Sequence, residues 1–191
     1  MSNAVALTNE SLLGRSARTV PLILAGVLMM TLSAKVQIPF WPVPMTLHTL
    51  AVMAFAITFG PRLTVSVFLA YLAAGTVGLP VFSGSPARGI GLAYMAGPTG
   101  GYLLGYLVAC WLVGKLAQGR GALGRTAAML LGLLPIYGLG VAWLATHIPS
   151  DQLIAFGVAP FILGDVFKIG IVTFGSVLVP KVLHRLQGSR Q

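Results

Sequence analysis

Acid is what this chain has least of: among 191 residues only Glu10, Asp151 and Asp165 are acidic. Charge of either sign totals 8% of the residues, whereas soluble domains carry about a quarter. That shortage excludes an ordinary soluble enzyme, and no hydrophilic block is long enough to fold as a separate catalytic module. Cysteine is nearly absent too. Cys110 stands alone in an apolar run, so no intramolecular disulfide can form, and the residue reads as a small core side chain. The strict alternation expected of a transmembrane β-barrel is missing. So is a Walker A sequence, which means that any ATP-driven step needs separate subunits. Gly119, Gly121 and Gly124 fit GxGxxG, but no strand precedes them and they lie in a basic loop, so they are a chance match. Three scattered histidines, His48, His147 and His184, and one acid inside an apolar segment build neither a metal site nor an acid/base pair. The chain reads as a non-enzyme that takes no cofactor and no metal.

What fills the space is apolar: 57% of residues are hydrophobic and the mean hydropathy is +0.91. The expected class is an all-α, polytopic integral membrane protein. Sparse charges divide it into six spans, about 20–38, 45–60, 62–79, 98–118, 125–147 and 158–183, each expected to cross about 30 Å of hydrocarbon. A single membrane domain over 1–191 follows, with a tail over about 1–18 and the bundle over 20–185. Arg15 and Arg18 ahead of an apolar run resemble a signal peptide, yet Leu32, Ser33 and Ala34 make a poor cleavage site and the run continues to Ile38. It reads as the first span.

Short cytoplasmic loops are enriched in Lys and Arg. With the N-terminus inside, Arg15, Arg18, Arg62, Lys115, Arg120, Arg125, Lys181, Arg185 and Arg190 are cytoplasmic, nine of the twelve basic residues. Both termini are therefore expected in the cytoplasm, in a multi-pass protein of the cytoplasmic (inner) membrane. The net charge of +9 reflects this topology and the lipid headgroups, and it does not point to nucleic acid.

Two stretches stand out against that background. FILGDVFKIG, residues 161–170, places Asp165 and Lys168 three residues apart in the outer half of the sixth span, on one helix surface. A charge inside hydrocarbon costs several kcal/mol unless partnered, so this pair is either a ligand contact or a packing device that satisfies itself. The second stretch is the outer loop over 78–102, rich in Gly and restricted by Pro80, Pro86 and Pro98. Irregular backbone at membrane level needs cover from protein or a water-filled cavity. Arg88 is the loop's only cation, suited either to a ligand carboxylate or to lipid phosphate. Phe82, Tyr94, Tyr102 and Trp41 offer apolar walls or interfacial anchors. Lys35 and Gln37 either reach the pocket mouth or snorkel. Gly97, Gly101 and Gly105 form a small-residue stripe suited to close helix packing.

GLPVF at 78–82, GPTGGYLLGY at 97–106 and GDVFK at 164–168, in this order within six spans, resemble the BioY family, the biotin-binding S components of energy-coupling-factor transporters. The resemblance covers about residues 20–185. It implies high-affinity capture of biotin in an outward-facing pocket and docking with a membrane coupling protein and two cytosolic ATPases. It further implies that Asp165 accepts the ureido N–H groups, that Lys168 donates to the ureido oxygen, and that Arg88 holds the valerate carboxylate. FSGSPARGIG lacks an asparagine that family members carry as a further ligand contact, with Ser83 or Ser85 as substitute. Phe82 and Tyr94 complete the expected site. The residues leave open whether the chain acts alone, as a homo-oligomer or only with the ATPase module. They also leave open a second class, a self-assembled pore or ion-coupled carrier of a small carboxylate solute, with Asp165 as an ion relay.

Overall fold

The computed structural model describes the backbone of residues 2–38 and 41–188, and side chains over 19–38 and 41–179. Arg190 and the side chains of Arg15, Arg18, Lys181 and Arg185, used above for topology, and the side chain of His184 lie outside the described residues. Helix α1 (Ser2–Lys35) leads into a minimal antiparallel hairpin, β1 (Gln37–Ile38) on β2 (Met45–Thr46). Then come α2 (His48–Thr76), the short α3 (Gly91–Ala96), α4 (Gly100–Leu116) and α5 (Ala122–Leu144). A 3-10 turn over Ser150–Gln152, α6 (Leu153–Gly157) and α7 (Ala159–Gly188) complete the order.

Helix α2 is two spans rather than one. His48 lies at its start and Tyr71 near its end; a continuous helix would hold them about 34 Å apart at 1.5 Å per residue. Their rings are 5.1 Å apart. The reversal falls at Gly60, whose φ of 73° is open chiefly to glycine, and Pro61 follows where a fresh helix tolerates a missing N–H. With α2 counted as a helical hairpin, the six expected spans are α1, the two arms of α2, α4, α5 and α7. The second span starts at His48 instead of 45 because Met45 and Thr46 are paired with Ile38 and Gln37. The third ends at Thr76 instead of 79 because Gly78, at φ 95°, turns the chain out of the helix.

Helix α7 shows how the bundle sits in lipid. Leu163 and Phe167 are 81% and 70% exposed, while Asp165 and Lys168 on the opposite face are 3% and 7% exposed. Large apolar side chains point outward and the charged pair points inward, the arrangement that a hydrocarbon solvent demands.

The bundle closes tightly between α4 and α5. A Cβ on Gly101 would lie 2.2 Å from Trp143 Cβ, and one on Gly105 would lie 2.6 Å from Ile136 Cα. Across the same interface, a Cβ on Gly140 would meet the Tyr102 ring at 2.4 Å. Backbone therefore rests on the opposing helix without a side chain between them, as expected for Gly101 and Gly105. Gly97 departs from the expected stripe. It precedes α4, and its carbonyl accepts the Trp143 indole N–H at 3.0 Å. Cys110 is fully buried and free, a core residue among Phe68, Val52 and Leu103. Gly119 and Gly121 lie between α4 and α5 and Gly124 lies inside α5, so the element leading into them is a helix and not a strand.

Candidate functional site

Between these helices lies a partly open cavity lined by residues of several helices, the hairpin and the outer loop. Helix α7 contributes Asp165 and Lys168, α5 contributes Ile136 and Tyr137, and α4 contributes Tyr102 and Tyr106. The start of α2 adds His48 and Thr49, the hairpin adds Thr46, and the outer loop and α3 add Phe82, Ser83 and Tyr94.

Asp165 and Lys168 meet as their spacing requires, Nζ to Oδ1 at 2.8 Å. Neither is satisfied by the other alone. Tyr137 donates its hydroxyl to Asp165 Oδ2 at 2.7 Å, and Lys168 donates a second hydrogen bond to the Thr46 carbonyl at 2.6 Å. Each carboxylate oxygen retains acceptor capacity and the ammonium retains one proton, so the pair can serve a ligand without dissolving. Fixing a buried carboxylate from two sides also sets its direction before a ligand arrives.

The outer wall is a folded turn and not a loose loop. Lys35 at the end of α1 donates to the carbonyls of Phe82 at 3.0 Å and Ser85 at 2.7 Å, and to Ser85 Oγ at 2.9 Å. Ser83 donates to Gln37 Oε1, and Tyr71 donates to the Val81 carbonyl at 3.3 Å. Lys35 and Gln37 thus hold the loop in place. Gly84 permits the turn with φ 70°, and a Cβ there would strike Arg88 Cδ at 2.7 Å. Phe82, fully buried, stacks on Tyr94 at 4.8 Å and meets Tyr71 edge-on at 5.5 Å.

The structure therefore brings Asp165, Lys168, Phe82, Ser83, Tyr94 and Tyr102 to one cavity. Ser85 is buried just behind it, engaged with Lys35 and the Phe82 carbonyl. Arg88 is not in the lining. It stands at the rim, donating to the Pro42 carbonyl at 3.2 Å, next to the lining residue Val43, and lying 5.8 Å over the Trp41 ring. Trp41 is exposed and supplies no wall. Sequence reasoning missed Tyr137, Tyr106 and Thr49, and took His48 only as one of three scattered histidines. The available signal was a tyrosine in mid-span, where a hydroxyl away from the interfaces needs a buried partner. Tyr137 has Asp165, and Tyr106 has Thr49 Oγ1 at 2.9 Å.

Comparison with known proteins converges on one group. A family model described as the BioY family matches residues 4–185. The chain is 33% identical over 173 residues to a Pyrococcus horikoshii protein described as "Probable biotin transporter BioY", covering 91% of this chain and 98% of that one. It is 30% identical over 165 residues to the "Biotin transporter BioY" of Thermotoga maritima, covering 84% and 96%. Among solved structures it is similar to the S-component for biotin from an ECF-type ABC transporter. That match has a TM-score of 0.72 and 24% identity and covers 92% and 93% of the two chains, a shared fold.

Proposed function

The chain belongs to the BioY family, and from that membership we propose that it captures biotin at the outer face of the cytoplasmic membrane as the substrate-binding component of an uptake system. The observation that carries the ligand is the Asp165–Lys168 pair, buried at the wall of a cavity lined mainly by apolar and aromatic side chains and held by Tyr137 and Thr46 with hydrogen-bonding capacity to spare. Biotin presents a cyclic urea, an apolar thioether ring and a tail ending in a carboxylate. The urea matches the charged pair: Asp165 accepts a ureido N–H, and the third proton of Lys168 goes to the ureido oxygen. The aromatic side chains of Phe82, Tyr94 and Tyr102 enclose the ring system, and Ser83 lies at the same wall. Arg88, with its planar fork at the rim, takes the tail carboxylate.

The basic residues Arg62, Lys115, Arg120 and Arg125 lie at the ends of spans and none of them lines the cavity, which supports a cytoplasmic N-terminus and a pocket that opens outward. An S component lacks its own ATPase. The partners in this reading are therefore a membrane coupling protein and two cytosolic ATPase subunits.

Calorimetric titration of the purified chain with biotin tests the ligand; absence of binding at micromolar concentration rejects it. Titration with biotin amide tests the pose. Wild type should bind the amide about tenfold more weakly or worse, the cost of a hydrogen bond to a charged group, and Arg88→Ala should treat acid and amide alike. Undiminished preference for the acid in Arg88→Ala removes Arg88 from the site.

A further inference from the structure

One polar atom of a cavity-lining residue is left over by everything above. His48 is 3% exposed and lines the cavity, yet its Nε2 is buried with no hydrogen-bond partner. Its ring is held by Tyr71 and Tyr106 at 5.1 Å each and Phe68 at 5.7 Å. A buried polar atom without a partner costs free energy that packing alone does not return, so the atom calls for an explanation.

The neighbours decide which proton the ring carries. Nδ1 faces Ser33 Oγ at 3.5 Å, and Ser33 gives its one hydroxyl proton to the Met30 carbonyl at 2.7 Å. Ser33 can then only accept, so Nδ1 carries the hydrogen and Nε2 is a bare acceptor. What satisfies Nε2 must be a donor.

A cyclic urea supplies one. Its two N–H bonds diverge on either side of the carbonyl, so a single carboxylate reaches one of them well and the second needs an acceptor across the ring. Lys168 is bonded to Asp165 and to the carbonyl of Thr46, whose hydroxyl accepts the His48 backbone N–H at 3.2 Å, and all four residues line the same cavity. We propose that Asp165, Lys168 and His48 Nε2 form an acceptor–donor–acceptor row that reads the N–H, C=O and N–H of one cyclic urea, with His48 as a ligand-binding residue. This inference rests on the biotin reading and refines it: Asp165 takes one ureido N–H and His48 the other.

The test uses the full chain in lipid nanodiscs. His48→Phe keeps an aromatic ring against Phe68, Tyr71 and Tyr106 but has no acceptor, and it should bind biotin about 3- to 10-fold more weakly, the net effect of one neutral hydrogen bond. His48→Gln, which restores an acceptor, should recover part of the loss. In parallel, nitrogen NMR on histidine-labelled wild type needs no variant to bind: the chain has three histidines, and the His48 Nε2 signal should be that of an unprotonated nitrogen and move upfield when biotin is added. A protonated Nε2 before ligand, an unmoved signal at saturating biotin, or full affinity in folded His48→Phe each overturns the proposal while leaving biotin as the ligand. Wild type that fails to bind biotin overturns the parent reading instead.

Discussion

Replacing Asp165 with asparagine separates a ligand contact from a packing contact, because the structure shows what each oxygen does. Oδ1 faces the Lys168 ammonium at 2.8 Å and Oδ2 receives the Tyr137 hydroxyl at 2.7 Å. In Asp165→Asn the positive charge of Lys168 holds the amide oxygen on its own side, which puts the NH2 group where Oδ2 was. Tyr137 adapts by rotating its hydroxyl to accept, and Lys168 keeps the Thr46 carbonyl at 2.6 Å. The fold thus exchanges two contacts to a charged group, from Lys168 and from Tyr137, for two neutral ones, and Lys168 can draw water through the cavity. About 1 kcal/mol of lost stability corresponds to a melting temperature lower by about 2–4 °C in a chain of this size. The ligand has no such freedom: a ureido N–H aimed at this group meets a donor or an uncharged acceptor. Biotin affinity should fall by about 1.5–3 kcal/mol, a factor of about 10 to 150 in Kd. The assay is biotin titration of the monodisperse variant beside its ligand-free melting curve, with Lys168→Met as companion. Unchanged Kd in both variants, together with a large loss of thermal stability, would refute the reasoning and reduce the pair to helix packing.

Gly101→Val should be severe, because its Cβ alone would lie 2.2 Å from Trp143 Cβ; we expect 1–3 kcal/mol or more of destabilisation, read as a lower melting temperature and yield, with Gly138→Ala, which meets open space, as the tolerant control. Lys35→Met should free the 82–85 turn from three hydrogen bonds, raising protease cleavage in the outer loop and weakening biotin binding several-fold, and unchanged cleavage would show that the turn holds itself. In a Cys110→Ser background, a cysteine at position 87 should react with an impermeant maleimide from outside, and reporters at either terminus should read cytoplasmic; reversed labelling would invert the topology.

The charged pair was legible in the sequence because charge is so scarce here that each intramembrane instance demands a reason. The six spans were legible for the same cause, since sparse charges mark their ends. Phe82 and Tyr94 were reached through a loop that had no business at membrane level without a cavity beneath it, and Ser83 only through the family resemblance. Tyr137, Tyr106 and Thr49 were not found, since their contribution depends on helix rotation, and spans that are apolar on nearly every side carry no periodic signal to fix it. Arg88 was read as a clamp from its charge, but its rim position depends on the Pro42 carbonyl and the Trp41 ring, neighbours that only the folded hairpin brings near. The two-residue strands β1 and β2 are too short for any pattern to declare them.

The glycine contact between α4 and α5 has a consequence for selectivity. With Gly105 set against the backbone of Ile136, the wall bearing Tyr102 and Tyr106 and the wall bearing Tyr137 are fused into one plate with no slack to close a gap. A truncation on that plate, such as Tyr106→Ala, leaves a hole instead of a collapse. The width of the chamber on this side is therefore set one side chain at a time, and the same scaffold can be cut to admit a bulkier guest without being rebuilt.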